Sequence, residues 1–187
     1  MRRAVFLDRD GVINEAPFNP VEGKLDSPYS IAEFHLLPGV GAAIAQLHDA
    51  GFVVVVVSNQ PGVAKGKCDQ GLLDALSAHM LAGLRAEGGE PDGVYYCLHH
   101  PEAVRPELRQ VCTCRKPAPG LLQAAARDWD IDLGASYMVG DSITDIAAGQ
   151  ACGCTTVLVG EAPPGWQAPA ARHFHRRSLP DALEVLV

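Results

Sequence analysis

The chain has 187 residues and a formal charge of −7, from 15 Lys and Arg against 22 Asp and Glu. With 48% hydrophobic and 20% charged residues it is too apolar to be disordered, and it is long enough to bury one core, so a single domain over 1–187 is expected. The negative balance disfavours non-specific binding to nucleic acid or an anionic membrane, no apolar run reaches the ~18 residues of a membrane span, and the four residues Ala4–Leu7 between Arg3 and Asp8 are too few for a signal-peptide core. The expectation is a cytoplasmic, globular protein, with a monomer as the default because no long apolar surface helix stands out.

Ala4–Leu7 is a short apolar run that ends abruptly at Asp8, the pattern of a strand covered on both faces. Val40, Ala43, Ile44 and Leu47 recur at helical spacing within Gly39–Ala50, and Gly51 is placed as the C-terminal stop. Phe52–Val57, a phenylalanine and five valines, predicts a central strand of a parallel sheet. Leu72–Leu84 predicts a second amphipathic helix, closed by Gly88-Gly89, and Val94–Tyr96 a third strand. Gly120–Trp129 predicts a helix, Ser136–Val139 a strand, Ile143–Ala151 a helix and Thr155–Val159 a fifth strand. A Pro- and Ala-rich stretch, Ala162–Ala171, then leads to a short helix around Asp181–Leu186.

This alternation predicts an α/β fold with a doubly wound, mostly parallel sheet and no substantial cap domain. Such sheets bind ligands at the carboxyl ends of their strands. Chemistry is therefore expected just after Leu7, Val57 and Val139, at Asp8, Ser58 and Asp141. Two connections, Asn14–Pro38 and Cys97–Pro117, are longer than ordinary ones, and long loops in compact domains are often functional.

Asp8-Arg9-Asp10-Gly11 sets two carboxylates two residues apart at a strand end. They repel unless one is protonated or a cation lies between them, and Mg²⁺ suits oxygen ligands together with a phosphate. A solvated acidic loop reads equally well for this motif alone. Ser58-Asn59 can hold a phosphoryl oxygen or be ordinary loop chemistry, and Lys116 in Arg115-Lys116-Pro117 can offset phosphate charge or lie on the surface. In Gly140-Asp141-Ser142-Ile143-Thr144-Asp145, Asp141 suits both a ligand and a helix N-cap, and Asp145 follows one turn later. The conjunction favours chemistry, because all four signals fall in order on the nominated strand ends.

The set resembles the four motifs of the haloacid dehalogenase superfamily: Asp8-Arg9-Asp10-Gly11-Val12, Ser58, Lys116, and Gly140-Asp141 with Asp145. The resemblance implies phosphoryl transfer through an aspartyl-phosphate. Asp8 would be the nucleophile, Asp10 the acid and then the base, and Ser58 and Lys116 the holders of phosphoryl oxygens. Asp8, the Asp10 backbone carbonyl and Asp141 would bind Mg²⁺, and Arg9 would position the loop. An acid at position 10, in place of serine or threonine, favours a phosphatase.

Cys97, His99, Cys112 and Cys114 form a Cys-x-His and Cys-x-Cys set in a loop spanning about 97–114. Three thiolates and an imidazole make a closed tetrahedral site suited to structural Zn²⁺, with His100 the rival of His99. Cys68, Cys152 and Cys154 read as small apolar filler. With this loop, Leu7–Asn14, Ser58–Gly66, Tyr95–Pro101, Cys112–Pro117 and Tyr137–Asp141 resemble the heptose-bisphosphate phosphatases, a subfamily related to the histidinol-phosphate phosphatases.

That resemblance implies removal of the C7 phosphate of a heptose 1,7-bisphosphate, in the synthesis of nucleotide-activated heptose. It also implies a small phosphosugar as the partner, with Asn59 and Arg115 near substrate and Arg115 at its distal part. Histidinol phosphate is the rival substrate. Two features depart from the pattern: Ser142 stands where some heptose phosphatases carry a lysine, and Glu15–Leu37 is longer than expected. Two other classes compete. A zinc-stabilised binding module sits poorly with the charge of −7, and a phosphoacceptor signalling domain needs neither Asp10 nor the cysteine loop.

Overall fold

Ala4–Leu7 is wholly buried and forms β1, the hub of the sheet, in a computed structural model that describes residues 1–169 and 171–187. A two-stranded hairpin follows, β2 (Phe18–Asn19) and β3 (Lys24–Leu25), and then α1 (Val40–Asp49) and β4 (Val53–Asn59). Next come α2 (Gln70–Ala86), β5 (Gly93–Cys97), α3 (Gly120–Trp129), β6 (Tyr137–Gly140) and α4 (Ile143–Ala151). The chain closes with β7 (Thr155–Val159), β8 (His173–Arg176) and α5 (Leu179–Leu186). The six-stranded sheet runs β5-β4-β1-β6-β7-β8 with every neighbour parallel.

The valine run shows why β4 needs apolar residues at successive positions. Val54 and Val56 join Val5, Leu7, Val139, Val157 and residues of α1, α2 and α5 in one core. Val53, Val55 and Val57 join Ala4, Phe6, Met138 and residues of α3 and α4 in the core on the other face. Side chains alternate across a strand, so a sheet covered on both sides requires hydrophobes of both parities. The chain leaves β1 toward β4 and β5 and returns on its other side through β6, β7 and β8. The switch point therefore falls at the carboxyl end of β1.

Three elements depart from the sequence reading. The segment after Asn14 contains the β2–β3 hairpin and a 3-10 turn at Ile31–Glu33, not bare loop, although it is far smaller than a cap domain. β8 emerges beyond the Pro- and Ala-rich stretch, in which residue 170 lies outside the described residues; its partner is the exposed side of β7. α2 begins two residues earlier than the apolar spacing suggests, because Asp69 accepts a hydrogen bond from Leu72 N–H and caps the helix. Cys152 and Cys154 pack against the second core, as apolar filler would. Among the described residues no helix is long and apolar enough to cross a membrane.

Candidate active site

Register brings the strand ends together: Leu7 lies opposite Val56 on one side and Val139 on the other. Asp8, Ser58 and Asp141, each a step or two further on, line one cleft of about 280 Å³. Asp8 is anchored by its own N–H, which donates to Val139 C=O (3.0 Å), and its Oδ1 accepts from the Arg9 N–H (2.7 Å).

Lys116 reaches Asp8 from the loop before α3. Only 2% exposed, it lies with Nζ 3.0 Å from Asp8 Oδ1 and 2.5 Å from Asp145 Oδ1, and it donates to Val57 C=O at 2.8 Å. Burial alone would lower its pKa, but the Asp145 and Asp8 carboxylates outweigh that and raise it, so the ammonium form is secured. Asn59 fixes its backbone. The amide oxygen accepts from Lys116 N–H and the amide nitrogen donates to Lys116 C=O, both at 3.0 Å. The polar atoms of Asn59 thus hold the lysine in place, and Asn59 also lines the cleft.

Asp141, Asp8 and fully buried Asp145 bring carboxylate oxygens within 4.8 Å of one another. The helix N-cap is Ser142, in a capping box with Asp145, so Asp141 is not spent as a cap. Two glycines make the approach possible. A Cβ at Gly11, where φ is +84°, would lie 2.1 Å from Asp141 Oδ2, and one at Gly140 would lie 2.2 Å from Asp145 Cβ. Burial and the neighbouring acids push Asp141 up to about 7, with Lys116 opposing. Burial likewise pushes Asp8 up to about 6, with Lys116 and Ser58 opposing and Asp145 adding. Three clustered carboxylates with one lysine among them carry surplus negative charge. An all-oxygen donor set of this kind fits a hard divalent cation such as Mg²⁺.

Asp10 lines the same cleft but is held by a different set of groups. Its carboxylate accepts five hydrogen bonds: Arg9 Nε (3.0 Å) and Asn14 Nδ2 (2.9 Å) on Oδ1, and Arg9 Nη2 (3.2 Å), Ser27 Oγ (2.7 Å) and Gln60 Nε2 (2.8 Å) on Oδ2. Burial opposes ionisation, but the Arg9 charge and these donors prevail and hold the carboxyl below its ordinary range. Arg9, wholly buried, lies over the rings of Tyr96 and Phe34, which fixes the loop. The Asp10 side chain is not one of the three clustered acids.

Beside the cleft, Cys97, His99, Cys112 and Cys114 converge. Sulfur–sulfur distances are 3.3, 3.3 and 3.6 Å, and His99 Nδ1 lies 3.4 and 3.9 Å from the sulfurs of Cys114 and Cys97. A tetrahedron with Zn–S near ~2.3 Å and Zn–N near ~2.0 Å requires S···S of about 3.8 Å and S···N of about 3.5 Å; the sulfurs lie somewhat closer together than that, and the four donors are of the kind and number that could hold zinc. His100 is turned away, with Nδ1 accepting from Glu102 N–H at 3.1 Å. The cluster abuts Arg115, whose Nη1 donates to His99 C=O at 3.4 Å.

Comparisons with known proteins show the family. A family model described as HAD-hydrolase-like matches residues 113–177, the part that carries Lys116, Asp141 and Asp145. The D-glycero-beta-D-manno-heptose-1,7-bisphosphate 7-phosphatase of Escherichia coli (strain K12) is 42% identical over 164 residues, which cover 86% of this chain and 81% of that protein. The enzyme of the same name from Haemophilus ducreyi is 40% identical over 161 residues, 84% of this chain and 82% of that one. The chain belongs to the heptose-1,7-bisphosphate 7-phosphatase family, within the haloacid dehalogenase superfamily. A solved structure of a D,D-heptose 1,7-bisphosphate phosphatase from B. bronchiseptica, complexed with magnesium and phosphate, superposes with a TM-score of 0.82 at 33% identity. It covers 98% of this chain and 97% of that one.

In this member of the heptose-1,7-bisphosphate 7-phosphatase family, Asp8, Ser58, Lys116, Asp141 and Asp145 meet in one place, and Ser142 lines the same cleft. The residues that sequence reasoning missed are those whose role is set by contact: Asn14, Ser27 and Gln60 around Asp10, and Lys24 and Lys65 beside Arg115 at the mouth. Asn14 and Gln60 lie within named motifs, but nothing in their spacing showed that they converge on Asp10. Lys65 lies within a quoted motif, but its proximity to Lys24 and Arg115 arises only in three dimensions; burial and then these cations lower its pKa.

Proposed function

We propose that the chain hydrolyses the 7-phosphate of D-glycero-β-D-manno-heptose 1,7-bisphosphate through a phosphoaspartate on Asp8. The observation that carries this is the Asp8 carboxylate at the end of the hub strand, 3.0 Å from the buried Lys116 ammonium and joined by Asp141 and Asp145. Asp8, Asp141 and the Asp10 backbone carbonyl would hold a divalent cation, which would supply positive charge to the phosphoryl oxygens. Lys116 and Ser58 hold those oxygens from the other side.

Asp8 attacks phosphorus, the bond to the C7 oxygen breaks, and Asp10 gives that oxygen a proton. A water molecule then attacks the phosphoaspartate, passes a proton to Asp10, and the bond to Asp8 breaks with release of phosphate. Asp10 as placed is in its base form, the one the second half requires. An arriving phosphate dianion raises its proton affinity for the first half by like-charge repulsion. Arg115, Lys24 and Lys65 at the mouth suit the distal phosphate, Arg115 through its planar fork of donors. Phosphorus NMR of the product, with both anomers of the bisphosphate supplied, should show heptose 1-phosphate. Release from C1, or preference for histidinol phosphate, overturns the substrate assignment.

Cys97, His99, Cys112 and Cys114 would hold a structural zinc ion. Bound by four protein ligands, it would have no catalytic part and would order the loop that delivers Arg115 and Lys116. One equivalent of zinc per chain is expected by elemental analysis of protein purified without chelators. Cys112→Ser should lose that metal and lower turnover indirectly; full zinc content in this variant, or none in the unaltered protein, contradicts the assignment.

A further inference from the structure

We infer that Ser27, on the segment that follows the β2–β3 hairpin, is a positioning residue for the Asp10 carboxylate. This rests on the role given to Asp10 above. Of the groups that fix Asp10, Arg9 and Asn14 belong to the same turn and Gln60 follows the end of β4, whereas Ser27 arrives from the long segment between β1 and α1. Its Oγ lies 2.7 Å from Asp10 Oδ2, the shortest of the five contacts, and it lines the same cleft. Guanidinium N–H groups only donate, whereas a hydroxyl donates to a carboxylate and accepts from a carboxylic acid. Ser27 thus keeps its bond to Asp10 on both sides of a proton transfer.

The segment is built to hold that hydroxyl still. Asp26, the preceding residue, takes Lys67 Nζ at 2.5 Å, Tyr29 Oη at 2.9 Å and Asn19 Nδ2 at 3.1 Å, and it accepts the Ser27 N–H at 2.9 Å. Lys67 also pairs with Glu22, so the hairpin is latched to the loop before α2. A polar network of this extent on an otherwise exposed hairpin, whose Phe18 and Leu25 face solvent, has a positional purpose.

The test compares Ser27→Ala and Ser27→Thr on the heptose bisphosphate, on a simple alkyl phosphate and on p-nitrophenyl phosphate. With Ser27→Ala, kcat for both alkyl esters should fall roughly tenfold while KM stays within about twofold, since a misplaced proton-transfer group loses part of its ~10²–10⁴-fold contribution. Ser27→Thr, which keeps the hydroxyl, should restore most of the rate. On p-nitrophenyl phosphate, whose leaving group departs without a proton, the rate of the first burst should be preserved while steady turnover slows. Ser27→Cys, similar in size but a weak donor, gives the same reading if the alanine variant folds poorly. An unchanged kcat, a rise in KM alone, or equal loss in both phases overturns the inference. Failure of the unaltered enzyme on the heptose bisphosphate would overturn the substrate reading only, because the alkyl series still reports on Ser27.

Discussion

Asp8→Asn should lower kcat by at least roughly a thousandfold on every phosphate ester, because an amide cannot attack phosphorus and the remaining groups only bind and orient. The same substitution should leave metal-free protein at least as stable as before. Burial and the Asp145 charge push the Asp8 carboxyl up to about 6, so this acid is held charged against its surroundings, and a neutral amide of the same shape relieves the cluster. Single-turnover kinetics and thermal melts in a chelator read the two effects separately. Residual turnover above about one part in a thousand would place the nucleophile elsewhere, and a lowered Tm would contradict the electrostatic reading.

Lys116→Met should damage stability and chemistry together. The ammonium is the counter-charge of fully buried Asp145 and of Asp8, and removing one partner of a buried ion pair costs about 3–5 kcal/mol. Its absence should also lower kcat by roughly 10²–10³ on the sugar bisphosphate and on small esters alike, since the charge it meets grows in the transition state. Adding Asp145→Asn to Lys116→Met should recover much of the stability and none of the rate. Urea titration beside steady-state kinetics reads both. A stability loss under about 1 kcal/mol would mean that the lysine is not the counter-charge its position indicates.

The sheet centre was legible because burial on both faces writes itself as an unbroken apolar run. Phe52–Val57 and Ala4–Leu7 need no partner to be recognised, and the polar residues that follow them, Ser58 and Asp8, fall where a doubly wound sheet places ligands. The edge was not legible. His173–Arg176 has no apolar alternation and becomes β8 only because β7 offers a row of backbone partners. The hairpin was hidden for a related reason: β2 and β3 have two residues each, and the paired Phe18 and Leu25 are exposed, so no periodicity marks a buried face.

Within the site, sequence spacing nominated Asp8 and Asp10 together, but it could not show that their carboxylates turn to different neighbours, Lys116 for one and Arg9 for the other. For Asp141 the two readings from sequence, cap and ligand, separate once Ser142 is seen to cap α4. The resemblance places Asn59 near substrate, and it does line the cleft. Only the fold shows its amide bracketing the backbone of a residue fifty-seven positions away.

An open parallel sheet has two raw borders, where unpaired N–H and C=O groups can recruit a strand from another molecule. At the β8 border that template is blunted. The strand is four residues long, Arg176 and two histidines stand along it, and the Arg172 guanidinium just before it is tied to Thr155 Oγ1 (3.1 Å) and Gly134 C=O (2.5 Å). The strand least visible in the sequence thereby guards against aggregation: a short, basic margin resists edge-to-edge stacking that a longer run of valines in its place would invite.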